Sequence, residues 1–217
     1  MQDLYIAGID GIDIGQAQTS KDTKDPSDFC IVIKKRAFGM QEPIIVAMYK
    51  DRPQDINTAY KIAMCICKYY NAKINVEATR VGLLNWAKKE GLLSYFMRRP
   101  RATLADIRSG NTKSYGTPAT GAIIEMQTDL VATYVEDYSH NIWFEEILDE
   151  LQKYNPENKR KFDIVASLGM VELADQELSA RVPVKVEKDT DDKFQDFGYW
   201  RDSKGYLHRG IIPKKEK

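Results

Sequence analysis

Residues 4–10 read LYIAGID and residues 72–78 read AKINVEA, two short apolar runs that each carry an acid at or near the end. Both runs are typical of buried strands. If the two strands are parallel neighbours, Asp10 and Glu77 come to the same end of the sheet. Ligands bind at the carboxyl ends of strands in open α/β sheets, so these two runs decide both the fold and the place of a candidate site.

The segments around the first run predict a sheet that begins as a meander. Residues 28–36 (DFCIVIKKR) and 42–51 (EPIIVAMYKD) predict two more strands, which follow a loop over residues 11–27. Apolar residues spaced three and four apart over residues 55–70 predict a helix with one buried face. Three antiparallel strands, a helix and the AKINVEA strand are thus expected in this order.

The second half of the chain predicts mostly helices. A helix over residues 81–91 closes with Gly91 in the C-cap position, and a short strand follows over residues 94–99. Prolines, turn formers and basic side chains near residues 100–120 predict a loop or hairpin that projects from the body. The remaining helices are predicted over residues 120–138, 142–154 and 159–178.

This order predicts the α/β class, with a mixed sheet (a three-strand antiparallel meander plus parallel strands) and helices on both faces. The ribonuclease H-like fold has this order, and other mixed α/β folds share it. We expect residues 1–180 to form one domain and the charged residues 181–217 to form a C-terminal tail or extension. No apolar run approaches the roughly 20 residues that cross a bilayer, and no signal peptide is apparent, so we expect a cytosolic protein.

The charge balance argues against strong unaided binding to nucleic acid. The 217 residues hold 32 basic and 32 acidic side chains, a formal net charge of zero. Phosphate contacts supply most of the affinity for nucleic acid, so proteins that bind it strongly usually carry a basic excess. A DNA-binding role must therefore use local patches or borrow affinity from another domain or partner.

A third acid, Asp163, is predicted at the start of the last helix, where it can be held against Asp10 and Glu77. Three converging carboxylates repel one another and are costly to bury unless a cation neutralises them. Mg²⁺ and Mn²⁺ prefer such ligands, and two ions about 4 Å apart can hydrolyse a phosphodiester. Singly, Asp10 also fits a turn residue and Asp163 a first-turn helix acid, so spacing alone leaves the triad as one suggestion among several.

Five segments resemble, in order, the nuclease domain of the terminase large subunit of tailed phages and herpesviruses. YIAGID followed after a loop by SDFCIVIKKR is similar to the opening of that family, a strand that ends in a catalytic Asp. AKINVEATRVGLLNWAKKEG is similar to its second acid-bearing motif. KSYGTPATGAIIEMQTDLVATYVED resembles the turn-and-helix of that family. IWFEEILDELQKYN resembles its EL-x-x-aromatic helix, and RKFDIVASLGMVELA resembles its final acid-bearing helix. The matches cover roughly residues 4–178.

This resemblance implies a ribonuclease H-like nuclease that cuts concatemeric double-stranded DNA during viral genome packaging, with two Mg²⁺ or Mn²⁺ ions. Carried over to this sequence, Asp10, Glu77 and Asp163 are the catalytic, metal-binding acids. Asp13 and Asp28 are second candidates for metal binding.

The resemblance also implies partners: an ATPase domain that this chain lacks, the portal protein and the small terminase subunit, met in the host cytoplasm at the procapsid portal. Met1 is followed at once by a strand, which suggests an excised domain. No G-x-x-x-x-G-K-[ST] pattern is present, so we expect the chain neither to bind nor to hydrolyse ATP. No membrane association is expected.

Two basic clusters are predicted to lie near the acids and to bind DNA phosphates without reading sequence. A solvated charged surface is the ordinary alternative for both. Two other functions stay open: another ribonuclease H-like enzyme, such as a junction resolvase or a hybrid nuclease, and a non-catalytic module that docks on the portal. The predicted DNA-binding residues are Arg98, Arg99, Arg101, Arg108 and Lys113 in the first cluster and Lys159, Arg160 and Lys161 in the second.

Overall fold

The computed structural model describes residues 3–12, 28–101, 115–155, 162–179, 197–202 and 204–211. Within these ranges the strands are β1 (Tyr5–Asp10), β2 (Phe29–Lys35), β3 (Ile44–Asp51), β4 (Lys73–Val76), β5 (Phe197–Arg201) and β6 (Leu207–Ile211). The α-helices are α1 (Ile56–Tyr70), α2 (Gly82–Lys89), α3 (Gly121–Tyr138), α4 (Glu145–Lys153) and α5 (Asp163–Ser179). Short 3-10 helices, Leu93–Tyr95 and Ser139–Asn141, follow α2 and α3.

The first four strands form one mixed sheet in the order β3-β2-β1-β4. The pairs β3–β2 and β2–β1 are antiparallel, as expected of a meander. The pair β1–β4 is parallel, with Ile9 opposite Val76. Asp10 and Glu77 therefore follow neighbouring parallel strands at the same end of the sheet, as the sequence predicted.

Helices cover both faces of this sheet because both faces of its central strands are apolar. In β2, Phe29 and Ile31 belong to a core shared with α1 and α2, whereas Cys30 and Val32 belong to a second core shared with α3, α4 and α5. Side chains alternate between faces along a strand, so a strand buried on both faces reads as a continuous apolar run. The predicted mixed α/β architecture with helices on both faces is confirmed.

The short strand predicted over residues 94–99 is not continuous. Its first residues lie in the 3-10 helix, and Met97 donates its N–H to the carbonyl of Ile74 at 2.7 Å. Arg98 instead pairs with Tyr115, in a second, antiparallel bridge. The backbone hydrogen bonds of this segment thus go to two different partners, which leaves only isolated bridges.

Two helices begin later than predicted. The helix α4 begins at Glu145 rather than near residue 142. The 3-10 turn before it is bound to the segment before β3, because the Asn141 side chain donates a hydrogen bond to Glu42 at 2.8 Å. The helix α5 begins at Asp163 rather than near residue 159, and residues 156–161 lie outside the described ranges. Asp163 is thus the first residue of α5.

The chain divides into two compact units, Met1–Arg181 and Val182–Lys217. The first holds the four-strand sheet and the five α-helices described above. The second holds β5 and β6, which pair antiparallel, with Gly205 at φ +85° in the turn between them. Among the described residues, no helix has the length and apolar character required to span a membrane.

Candidate active site

The helix α5 lies directly against β1 because Gly8, inside that strand, has no side chain. A Cβ at Gly8 would lie 2.1 Å from the carbonyl oxygen of Ser167. The buried Ser167 hydroxyl accepts a hydrogen bond from the N–H of Asp10 and donates one to the carbonyl of Cys30, each at 3.1 Å. Ser167 therefore joins α5 to both β1 and β2, and Asp163 lies about one helical turn before it.

Asp10 and Asp163 form a buried carboxyl pair. Each residue is only 5% exposed, and the Asp163 carboxyl lies close enough to act on Asp10 through charge and hydrogen bonding. Burial raises the pKa of Asp10 well above its usual value; the charge of Arg80 opposes this, and the charges of Glu77 and Asp163 add to it. Negative charges that are buried together are costly unless a proton or a cation neutralises them.

Asp28, directly before β2, contacts this pair. Its backbone N–H donates to Oδ2 of Asp163 at 2.9 Å. The pKa of the Asp28 carboxyl is raised, first by partial burial and then by the negative charge of Asp163. A residue that the sequence made only a second candidate thus touches one of the primary acids. Asp13, the other second candidate, lies outside the described residues.

Glu77 flanks the pair from β4. Its N–H donates to the carbonyl of Ile9 at 3.3 Å, which continues the ladder between β1 and β4 by one bond. The Glu77 carboxylate accepts a hydrogen bond from the Thr79 hydroxyl, and its charge acts on Asp10. The charge of Glu77 therefore acts on Asp10, although the Glu77 carboxylate accepts its hydrogen bond from Thr79 in its own loop.

The chemistry of these oxygens fits a hard divalent cation. The Oδ1 atom of Asp10 is buried and has no hydrogen-bond partner in the described part of the chain. Such an acceptor is costly to bury unless something coordinates it, and carboxylate oxygens are the ligands that Mg²⁺ and Mn²⁺ prefer. Among the described residues, no three His, Cys, Asp or Glu side chains stand close enough to enclose one ion. Mg²⁺ usually keeps several waters and is held by one or two carboxylates, so the pair of Asp10 and Asp163 is enough as the protein's contribution.

Two cationic side chains stand on opposite sides of the buried pair. Arg80, in the loop between β4 and α2, lies 4.0 Å from Oδ1 of Asp10 and donates to the carbonyl of Gly11 at 2.6 Å. Lys50, near the end of β3, lies 3.8 Å from Oδ2 of Asp163. About a quarter of each of these two side chains is exposed, so each can meet an anionic ligand at the surface.

The start of α5 is held by Glu150 of α4. One carboxylate oxygen, Oε1, accepts the N–H groups of Ile164 and Val165 at 2.7 and 3.0 Å. The other oxygen, Oε2, accepts a hydrogen bond from Lys50 at 2.9 Å. These two N–H groups lie in the first turn of α5, where no intrahelical partner exists, so Glu150 caps the helix directly after Asp163.

Only three of the eight predicted DNA-binding residues lie in the described part of the chain. The main chain and guanidinium of Arg101 both donate to Glu177 of α5, at 2.9 and 3.1 Å. Glu177 follows Asp163 by about four turns, so Arg101 lies near the far end of the helix, about 20 Å from Asp163 along the axis. Arg98 is exposed and Arg99 half-buried. Arg108, Lys113, Lys159, Arg160 and Lys161 lie outside the described residues.

Sequence reasoning missed four residues that shape the site: Ser167, Lys50, Arg80 and Glu150. Two of them carried a usable signal. Glu150 follows Ile147 by three residues, on the buried face of an amphipathic helix, where an acid needs a partner. Lys50 pairs with Cys30, which pairs with Asp10, so the three residues form one row across the sheet once the register is known. Ser167 and Arg80 had no distinguishing pattern.

No protein-family model matches the chain, and no curated protein sequence matches it significantly.

Proposed function

We propose that this chain is the metal-dependent endonuclease domain of a viral DNA-packaging terminase, with a ribonuclease H-like fold. One observation carries the proposal: Asp10 and Asp163, remote in sequence, lie together in a buried site at the carboxyl end of β1, close enough for the charge of Asp163 to act on Asp10. Asp28 and Glu77 act on the same two carboxyl groups. The order β3-β2-β1-β4, with one parallel pair, is compatible with that fold.

In this proposal Asp10 and Asp163 hold two Mg²⁺ or Mn²⁺ ions together with Glu77, and Asp28 assists from β2. The ions, when bound, activate the attacking water and stabilise the leaving oxygen of the phosphodiester. Ser167 and Gly8 fix the spacing of the two aspartates. Arg80 and Lys50, one on each side of the acids, meet the phosphates of the duplex that crosses the site.

The proposed substrate is concatemeric double-stranded DNA. A net charge of zero leaves the isolated chain a weak DNA binder, so affinity is supplied by an ATPase domain and by the portal. The small terminase subunit is a further proposed partner. The proposed place of action is the procapsid portal in the host cytoplasm.

Substitution of the buried aspartates tests the proposal. Asp10→Asn and Asp163→Asn each remove an anionic ligand at nearly constant size. We expect both to lower plasmid cleavage in Mn²⁺ by more than about 100-fold, the upper range for loss of an outer-shell partner of a metal site. Asp129→Asn, on the exposed side of α3, is the matched control and should cleave normally. Full activity in both site variants would remove the assigned site.

The choice of substrate separates the alternatives. A terminase nuclease should cut linear duplex DNA, whereas preference for a four-way junction or for an RNA:DNA hybrid would assign a junction resolvase or a hybrid nuclease. A non-catalytic docking module should bind no Mn²⁺ in calorimetry. Each of these three outcomes contradicts the proposal in a different way.

A further inference from the structure

Lys50 lies between the carboxylates of Glu150 and Asp163, at a different distance from each. Its ammonium is 2.9 Å from Glu150 and 3.8 Å from Asp163, so Glu150 holds it more closely. Burial lowers the pKa of Lys50, but hydrogen bonding to Glu150 and the charges of Glu150 and Asp163 outweigh this and raise it overall. The side chain therefore remains a full positive charge beside the acid pair.

The Glu150 side chain is held in one orientation. Its Oε1 atom is tied to the first turn of α5 by two backbone N–H groups, and only 9% of the side chain is exposed. The remaining oxygen, Oε2, faces Lys50. A carboxylate fixed in this way acts as a stationary anchor for the ammonium, which would otherwise be free to swing on its flexible stem.

We infer that Glu150 is a positioning residue of the metal site: it holds the Lys50 ammonium 3.8 Å from Asp163 and so weakens the competition between that ammonium and a divalent cation for the Asp163 carboxylate. The inference rests on the proposed function. An ammonium in direct contact with Asp163 would occupy an oxygen needed as a ligand and would repel the incoming cation. The same ammonium, held at Glu150, stays within reach of a phosphate bound over the acids.

Glu150→Gln separates this role from helix capping. The glutamine keeps an oxygen that accepts the two N–H groups of α5 but loses the charge that holds Lys50. We expect Lys50 to close on Asp163 and the affinity for Mn²⁺ to fall about tenfold. That is the factor for an ammonium that moves from 3.8 Å to about 2.9 Å from a carboxylate at an effective dielectric constant of about 20.

The double variant supplies the decisive comparison. Glu150→Gln combined with Lys50→Met removes both the anchor and the competing charge, so the Mn²⁺ affinity should return to the wild-type value or exceed it. Lys50→Met alone should bind Mn²⁺ at least as tightly as wild type. A purely structural role for Glu150 predicts no rescue, because Lys50→Met cannot repair a damaged cap.

Calorimetric titration of the full 217-residue chain with MnCl₂ measures these affinities, with circular dichroism as the check on folding. Glu146→Gln, exposed one turn earlier on α4, is the matched control and should bind as wild type does. Wild-type affinity in Glu150→Gln, or a loss in the double variant as large as in the single one, overturns the inference alone. If Glu150→Gln does not fold, a weaker affinity in Lys50→Met overturns it. A wild-type chain that binds no Mn²⁺ overturns the proposed function as well.

Discussion

Gly8 sets the distance between the strand that carries Asp10 and the helix that carries Asp163. A side chain at this position meets the backbone of α5, at Ser167 and Val171, rather than the end of a side chain that can rotate away. Helix and strand must therefore separate to admit even one methyl group. The bond between the N–H of Asp10 and the Ser167 hydroxyl depends on the same close approach.

Gly8→Ala should destabilise the protein by about 3 kcal/mol, the upper range for overpacking of a well-packed interior. Urea unfolding followed by circular dichroism measures the change. Gly11→Ala is the matched control, since a Cβ at Gly11 meets no atom within 4 Å. Equal stability of the two variants would show that α5 does not rest on β1 at this point.

The residues of the site divide into those that sequence could find and those that it could not. Asp10 and Glu77 were predicted together because each follows an apolar run, and the parallel pairing of β1 with β4 is a common result of a strand-helix-strand order. Lys50 and Glu150 depend on the strand register and on the docking of α4 against α5. The buried position of Glu150 in its helix indicates that it needs a partner, but long-range packing decides which polar residues meet.

At the scale of elements, Asn75 ties three segments together. This fully buried residue of β4 donates to the carbonyl of Met170 in α5 at 2.9 Å and accepts from the Thr117 hydroxyl at 2.9 Å. Glu77 lies two residues further along the chain, directly after the end of β4. The position of the Glu77 loop thus depends on hydrogen bonds that the sequence pattern of an apolar strand does not reveal.

Asn75→Ala should cost about 2–3 kcal/mol, because it removes a buried hydrogen bond to the Met170 carbonyl and leaves the buried Thr117 hydroxyl without its Asn75 partner. Thermal and urea unfolding measure the loss. Asn85→Ala, on the exposed side of α2, removes the same group from a solvated position and should change stability little. A loss no larger than that of the control would mean that water replaces the Asn75 amide.

The elements themselves were largely predictable, and the exceptions have physical causes. Periodicity predicted α1, which begins after its N-cap Asp55, and α5, which begins at Asp163. The prediction of a strand over residues 94–99 was wrong, because the backbone of this segment bonds to two different partners. Which partners it meets depends on the edge of the sheet and not on the segment's own sequence. Apolar runs predict burial well but do not say how many neighbours a strand finds.

At the scale of the whole molecule, a second buried charge cluster lies further along α5. Lys34 of β2 contacts Glu172 at 2.5 Å and Asp175 at 2.9 Å, and its ammonium lies over the Tyr134 ring. Arg36 also binds Asp175, at 2.6 Å. Burial, first, and the charge of Asp175 raise the pKa of Glu172 to about 7, although Lys34 opposes the shift.

This cluster makes global stability depend on pH. The folded-state pKa of Glu172 is raised above its ordinary value of 4.5, so its proton is held more tightly in the folded chain. The stabilisation is therefore fully present below pH 4.5 and is lost as the pH rises through about 7. Glu172→Gln cannot ionise, so its stability relative to wild type should increase between pH 5 and pH 8.

Urea unfolding of wild type and Glu172→Gln at several pH values across this window measures the difference. The lowered pKa of Asp175 affects stability at more acidic pH and does not produce this trend. Glu125→Gln, exposed on α3, is the matched control and should follow wild type at every pH. A constant difference between Glu172→Gln and wild type would contradict the assignment.

The bond that holds Asp10 in place reaches 157 residues along the chain to Ser167. A ribosome delivers β1 early and α5 only after the rest of the sheet has emerged, so the nascent polypeptide carries one half of the acid pair long before the other. Contacts of such long sequence separation are also slow to form. The topology therefore sets the order of events: a partly synthesised chain has no assembled acid pair, and the pair forms only when α5 docks.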